Sequence, residues 1–269
     1  MNITFYKYQG TGNDFIMVDG REHSLGKDPI PTIKNLCHRK FGIGADGLIL
    51  LKEKEGYDFE MIYYNADGSQ SMCGNGARCA VAFARFLGMI RENAHFLAID
   101  GAHRAEISGD WVALEMGKVN RIQGAGNDYF VNTGSPHHVR FVEELENYDV
   151  VGTGRKIRHD KDTYPEGTNV NFVKALDKNH IEVRTFERGV EDETLSCGTG
   201  VTACALVYGS QEGPNEVKIG TLGGNLEVTF VKSQSGSFEN IILAGPAKQV
   251  FSGKISIAEM VGDKVNLRQ

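Results

Sequence analysis

Two short runs hold the residues best suited to chemistry, Cys73-Gly74-Asn75-Gly76 and Cys197-Gly198-Thr199-Gly200. In each, a cysteine stands just before a glycine-rich helix start, with helices expected over Ala77–Leu87 and Val201–Tyr208. The first amides of a helix lack partners within it, and the helix dipole adds roughly half a positive charge at that end. Glycines let the backbone come close to a ligand. Such a turn binds an anion, for instance a carboxylate. The same field lowers a thiol pKa from its usual value of about 8.5. One turn therefore supplies both a carboxylate cradle and a usable base.

Two copies suit a symmetric task at one point, and inversion of a stereocentre is such a task. A proton leaves one face of a carbon while another arrives on the opposite face. Two acid/base groups are needed, one as thiolate and one as thiol. Two helix N-termini aimed at one carboxylate stabilise the charge that develops as the Cα–H bond breaks. The other cysteines, Cys37, Cys79 and Cys204, read as small buried hydrophobes. The spacings Cys73/Cys79 and Cys197/Cys204 are wider than the short hook of a structural zinc site, so no metal is expected.

The elements that must position these turns are mostly strands. Runs rich in β-branched and aromatic residues recur, among them Ile3–Tyr8, Phe15–Asp19, Leu48–Lys52, Phe59–Asn65 and Phe96–Asp100. Trp111–Met116, Phe130–Thr133, Val139–Val142, Val170–Ala175, Ile181–Glu187, Val217–Gly220, Leu226–Val231 and Ile241–Ala244 continue the pattern. Two further helices are expected, over Thr32–Arg39 and, more weakly marked, Glu143–Tyr148. Landmarks also recur at one nearly constant offset: Gly12 with Gly134, Asp46 with Asn169, Asn65 with Glu187, and Cys73 with Cys197.

The repeat predicts an α+β fold of two pseudo-symmetric lobes, each a mostly antiparallel sheet wrapped around a central helix, with the active site in the cleft between them. The first lobe is expected over residues 1–117, joined by a returning C-terminal strand within 252–269. The second is expected over 118–251, with the boundary near Gly117–Asn120.

The formal net charge is −6, and no Lys/Arg block interrupts it. That argues against nucleic-acid or anionic-membrane partners. The N-terminus lacks the basic start and apolar run of a secretory signal, and no apolar run approaches the roughly 18 residues of a membrane span. A cytoplasmic location is expected, where the odd set of five cysteines stays reduced.

Three segments then carry a specific resemblance. They are Gly10-Thr11-Gly12-Asn13-Asp14-Phe15, then Asn65-Ala66-Asp67-Gly68-Ser69 through Met72-Cys73-Gly74-Asn75-Gly76-Ala77-Arg78-Cys79, and Glu187-Arg188-Gly189 through Cys197-Gly198-Thr199-Gly200. In this order, over essentially the whole chain, they resemble the diaminopimelate epimerase family. The resemblance implies pyridoxal-independent interconversion of LL- and meso-2,6-diaminopimelate, on the route to lysine and peptidoglycan, with no cofactor. Cys73 and Cys197 match the catalytic pair. Gly74, Asn75, Gly198 and Thr199 match the backbone donors to the reacting carboxylate. Asn13, Asn65, Asn169, Glu187 and Arg188 match side chains that hold the substrate. The fork of Arg188 suits a carboxylate and Glu187 suits an ammonium. His137 matches a supporting histidine near the site. The family pattern also allows a homodimer, although no interface is legible in the sequence.

Three departures stand out. Gly47 replaces a glutamine found in some members, Ser135 replaces an asparagine, and Glu187 to Cys197 is one residue longer than in some members. Proline and hydroxyproline racemases share the two-cysteine scheme but not the Asn65–Cys79 segment. A non-catalytic binding protein on the same fold would not need both cysteines. A Cys197/His137 hydrolase leaves the second Cys-Gly-x-Gly turn unexplained. The Gly198-x-Gly200-x-x-Ala203 run lacks the buried strand before it that a dinucleotide site requires. Asn13 and Asn65, taken without the resemblance, read better as plain turn residues. Glu191-Asp192-Glu193 reads as a solvated loop.

Overall fold

A computed structural model describes residues 2–209 and 212–257, and the chain parts into two units at Asp110/Trp111 and Pro246/Ala247. The first unit is built on β1 (Asn2–Gly10), β2 (Asn13–Asp19), β3 (Gly47–Lys54), β4 (Tyr57–Asn65), β5 (Asn93–Ala98) and β6 (Gly101–Ser108). The strand β17 (Lys248–Ser256) returns to pair antiparallel with β1, Ile3 facing Ile255. From β1 onward the pairings run antiparallel to β2, parallel to β3, antiparallel to β4, parallel to β5 and antiparallel to β6. Along β4 burial alternates, with Phe59, Met61 and Tyr63 turned inward. This is the period of a strand with one face on a core.

Helix α2 (Gly74–Phe86) packs against β1, β2, β3, β4 and β6. Its side chains Ala77, Cys79, Ala80, Val81, Phe83 and Ala84 are all buried, so the small residues expected of an enclosed helix are used as such. It closes at Gly88, which takes φ 72° while the Met89 N–H meets the Ala84 carbonyl at 2.9 Å. Helix α1 (Ile30–Cys37) starts and stops two residues before the expected Thr32–Arg39. Pro31 fits its first turn, and His38 leaves the helix in an extended conformation.

The second unit contains β7 (Trp111–Met116), β8 (Gln123–Ala125), β9 (Asp128–Asn132), β10 (Pro136–Phe141), β11 (Asn169–Asp177) and β12 (His180–Glu187). It continues with β13 (Asp192–Thr194), β14 (Gly213–Thr221), β15 (Gly224–Lys232) and β16 (Phe238–Pro246). β9 is antiparallel to β8 and β10, β10 parallel to β11, β11 antiparallel to β12, and β12 parallel to β14. β14, β15 and β16 follow antiparallel. β7 pairs with β16, Leu114 opposite Leu243, and so lies with the second unit rather than with residues 1–117. Helix α4 (Gly198–Tyr208) packs against β9, β10, β11, β12, β14, β15 and β16, and Val201, Ala203, Cys204, Ala205 and Leu206 enter the core with Val139, Val173, Ile181 and Val228.

Two local expectations need correction. Glu143–Tyr148 is not a helix. Arg184 Nη1 donates to the carbonyls of Leu145 (2.8 Å) and Glu146 (2.9 Å), using acceptors that a helix would direct to its own amides. The helix lies just beyond, as α3 (Val150–Arg158), capped by Asp149 Oδ1 on the Gly152 amide at 2.8 Å. Its two glycines hid it from a reading based on propensity. One of them is a packing requirement, because a Cβ at Gly154 would lie 2.5 Å from Phe186 Cβ. Likewise Glu191-Asp192-Glu193 is no solvated loop. β13 pairs with β12, Glu193 forms a two-pronged pair with Arg184 at 2.7 Å, and Glu191 pairs with Arg158 at 3.1 Å. Residues 258–269, expected to accompany the first lobe, lie outside the described residues.

Candidate active site

In the first unit Cys73 is the N-cap of α2, with φ −137° and ψ 117°. Its Sγ accepts the Gly76 N–H at 3.4 Å. A capping side chain normally offers oxygen. Sulfur in that place brings the thiol directly onto the positive end of the helix. The Sγ also lies 3.5 Å from Asn13 Oδ1, which receives Asn75 Nδ2 at 3.4 Å. The orientation of the Asn13 amide follows from its other end, where Nδ2 donates to Asp46 Oδ2 at 2.6 Å. A carboxylate only accepts, so the oxygen of Asn13 must face Cys73.

Asp46 is held by Arg39 at 2.8 Å, and Arg39 also forks onto Asp14 at 2.7 and 3.2 Å. Burial would raise the Asp14 carboxyl, but hydrogen bonds from Arg39 and Lys7 outweigh it and bring its pKa down to about 2.

Asn65 sits differently from Asn13. Its Oδ1 accepts from Tyr63 at 2.8 Å, and its Nδ2 donates to Ser69 Oγ at 3.0 Å and Ser71 Oγ at 3.2 Å. These bonds brace the loop that leads from β4 to Cys73. Gly47 explains the departure noted above. A Cβ there would lie 2.4 Å from the Tyr63 ring, so Tyr63 occupies the space a longer residue would need.

In the second unit Cys197 is the N-cap of α4, with φ −121° and ψ 112°. Its Sγ is 3.6 Å from Thr199 Oγ1, which is 2.9 Å from His137 Nε2. The tautomer of His137 can be deduced. Asn171 Nδ2 meets both the His138 carbonyl (2.9 Å) and His137 Nδ1 (3.2 Å), so the amide NH2 points there and Nδ1 accepts. The proton then resides on Nε2 and is given to Thr199. Burial, with Arg188 adding a like charge, lowers the His137 pKa to about 3 and keeps the ring neutral. Gly200 leaves room for this network, because a Cβ there would lie 2.4 Å from Asn171 Oδ1.

Asn169 joins β10 to the next turn, with Nδ2 on the Pro136 carbonyl (3.0 Å) and Oδ1 on the Arg188 amide (2.9 Å). It thereby positions the Glu187-Arg188 pair. Glu187 receives Thr194 Oγ1 at 2.9 Å, and Arg188 Nη1 donates to the Glu166 carbonyl at 3.4 Å. Both side chains are half-buried. Ser135 is half-buried, and its carbonyl takes the Thr133 amide at 3.2 Å.

The structure thus gathers Asn13, Gly74 and Asn75 around Cys73 in one unit. In the other it gathers His137, Gly198 and Thr199 around Cys197, with Asn169 bracing Arg188. The remaining cysteines stay apart from this chemistry. Burial pushes the Cys37 thiol up to about 12 and raises those of Cys79 and Cys204 as well. Among the described residues no group of three or more His, Cys, Asp or Glu side chains is arranged to hold a metal ion, and no helix is long and apolar enough to cross a membrane.

Asn171, Asp46 and Arg78 were not singled out as site residues by sequence. Asn171 carries no motif. Asp46 was visible only as a repeat landmark. Arg78 carried a signal that went unread, a charge placed among the small and apolar residues of the first turns, far from the helix end where Arg85 sits.

The fold is shared with solved structures of low sequence similarity. A phenazine biosynthesis protein of the PhzF family from Bacillus anthracis superposes with a TM-score of 0.73 at 14% identity, over 95% of this chain and 99% of that one. A hydroxyproline epimerase from Agrobacterium vitis gives 0.66 at 14% identity, over 94% and 92%. The architecture is therefore the sheet-rich α+β class of these proteins. Within it, the diaminopimelate epimerase family model matches residues 5–122 and 129–250. A diaminopimelate epimerase from Flavobacterium psychrophilum is 50% identical over 94% of this chain and the whole of that protein, and one from Chlorobaculum tepidum is 41% identical over 92% and 99%. The chain belongs to the diaminopimelate epimerase family.

Proposed function

We propose that this protein epimerises LL-2,6-diaminopimelate to meso-diaminopimelate without pyridoxal phosphate, using Cys73 and Cys197 as the two acid/base groups. The observation that carries the reading is the recurrence of an N-capping cysteine. Both units place a sulfur at the start of a glycine-rich helix, in nearly the same extended backbone conformation. The order of pairings also recurs. β1 to β6 and β9 to β15, with β13 set aside, both run antiparallel, parallel, antiparallel, parallel, antiparallel, which supports two pseudo-symmetric lobes.

In the proposed reaction one sulfur, as thiolate, takes the proton from the α-carbon of the substrate. The other, as thiol, gives its proton to the opposite face. The first ends as thiol and the second as thiolate, so the reverse reaction exchanges their parts. The amides of Gly74, Asn75, Gly198 and Thr199 suit the reacting carboxylate, whose charge grows as the Cα–H bond breaks. Arg188 offers a fork for the distal carboxylate and Glu187 an acceptor for an ammonium.

The test mixes purified protein, freed of pyridoxal phosphate, with LL-diaminopimelate in deuterium oxide and separately with L-proline. Early meso product should carry deuterium at the inverted carbon while recovered substrate stays almost unlabelled, and L-proline should remain unchanged. Extensive carriage of the original hydrogen into product would refute two bases. So would robust epimerisation by folded Cys73→Ala or Cys197→Ala.

A further inference from the structure

Arg78 is the largest fully buried side chain, at 0% exposure, and its surroundings are unusual for an arginine. Nη2 donates to Asn75 Oδ1 at 2.9 Å and to Thr11 Oγ1 at 3.3 Å, while Nε and Nη1 have no hydrogen-bond acceptor. Burying a charge is costly unless it is paired. Arg78 takes part in none of the ion pairs among the described residues, and the ionisable groups whose charge it feels are Cys79 and Cys73. Burial raises the Cys79 thiol, which therefore stays neutral. Cys73 is left as the neighbour able to carry a negative charge.

The surrounding backbone is shaped to this arginine. Gly10 passes close over it, since a Cβ there would lie 3.2 Å from the Asn75 carbonyl oxygen and 3.5 Å from Arg78 Nη2. Thr11 takes φ 49°, a left-handed conformation that β-branched residues avoid, and its hydroxyl reaches the guanidinium from there. Strain of this kind persists where surrounding structure imposes it, often beside functional sites.

We propose that Arg78 is a positioning residue for Cys73. Its Nη2 holds the Asn75 amide that meets Asn13, and its buried charge favours negative charge on the Cys73 sulfur. The charge has work to do there. Asn13 Oδ1, 3.5 Å from that sulfur, gives the neutral thiol an acceptor and opposes ionisation. The Gly76 amide and Arg78 act in the other direction. α4 has no such cation. Five residues after Cys197, where Arg78 follows Cys73, stands Thr202, whose hydroxyl donates to the Gly198 carbonyl at 2.9 Å.

The inference rests on Cys73 being a catalytic sulfur, and its test does not need turnover. The alkylation rate of each cysteine by iodoacetamide is followed against pH by mass spectrometry of the full chain, with folding checked by circular dichroism. In Arg78→Met the Cys73 midpoint should move up by about one pH unit or more, the size of effect expected when a nearby opposite charge is lost. The Cys197 midpoint should stay, serving as an internal control. Arg78→Lys keeps the charge and loses the planar guanidinium whose Nη2 holds Asn75 and Thr11. It should leave the Cys73 midpoint near wild type while lowering kcat. If the Met variant does not fold, the Lys variant decides, because a Met-like shift in its midpoint, or an unchanged kcat, overturns the proposal. A folded Met variant with an unmoved Cys73 midpoint overturns it too, as does an equal shift at both cysteines. Activity retained by Cys73→Ala would instead remove the catalytic reading of Cys73 itself.

Discussion

Thr199→Val is close to isosteric and deletes the hydroxyl that contacts both His137 and Cys197. Two consequences can be sized separately. His137 is fully buried, and its Nε2–H donates to Thr199 at 2.9 Å. In the valine variant that buried donor loses its acceptor, which costs about 1–3 kcal/mol of stability. The Cys197 thiolate also loses an O–H donor. At 3.6 Å that contact is long, so a net loss of about 1 kcal/mol is a fair measure, equivalent to somewhat under one pH unit. The alkylation midpoint of Cys197 should therefore rise by roughly half to one unit, while that of Cys73 does not move. Thr199→Ser restores the hydroxyl and should restore both quantities. Urea unfolding gives the first and mass-spectrometric alkylation profiles give the second. A valine variant that is as stable as wild type and has an unshifted Cys197 profile would refute the deduced His137 tautomer and the relay built on it.

Further outcomes follow from the same geometry. In the native protein at pH 8, brief iodoacetamide treatment should label Cys73 and Cys197 and spare Cys37, Cys79 and Cys204, whose thiols burial holds high; equal labelling of all five would show that burial does not govern reactivity. Asp14 has a pKa lowered from 3.8 to about 2, so its contribution is complete above pH 4 and is lost as pH falls from there to about 2. Urea unfolding across that window should show a decline of about 1–2 kcal/mol that Asp14→Asn lacks. Gly200→Ala pushes a Cβ to 2.4 Å from Asn171 Oδ1, and should destabilise the fold by about 1–3 kcal/mol and lower kcat, which thermal unfolding and steady-state kinetics would measure.

What could be read from the sequence was what rests on local signals. The cysteine turns could be read because capping, glycine and the apolar run after them all agree, and most of the strand runs fell near the observed strands for the same reason. Failures came where a long-range partner overrides the local signal. Glu143–Tyr148 lost its helix to Arg184, a residue about forty positions away. α3 formed despite two glycines because Asp149 caps it and Phe186 receives it. Within the site, the residue types were legible but their tasks were not. Asn13 and Asn65 looked alike in sequence, yet one presents its oxygen to a sulfur and the other is consumed by Tyr63, Ser69 and Ser71. No spacing rule distinguishes them, since the difference lies in which neighbours the sheet delivers.

The proposed two-base reaction makes a particular demand on those neighbours. Each sulfur must act as base in one direction and as acid in the other, so neither can be locked in one protonation state. Around Cys73 the thiol is served by Asn13 Oδ1 and the thiolate by the Gly76 amide. The amide oxygen cannot turn away, because Asp46 holds the other end of Asn13, and Arg39 holds Asp46. Around Cys197 the Thr199 hydroxyl is able to serve both states. The Thr199 hydroxyl receives the His137 proton on one lone pair, which leaves its own hydrogen for a thiolate and its second lone pair for a thiol. His137 can keep this role over the working pH range because burial holds it neutral. Under the proposed mechanism the two turns meet one chemical requirement with unlike parts, a fixed amide in one unit and a rotating hydroxyl in the other. The repeat therefore constrains the backbone turn more tightly than the side chains around it.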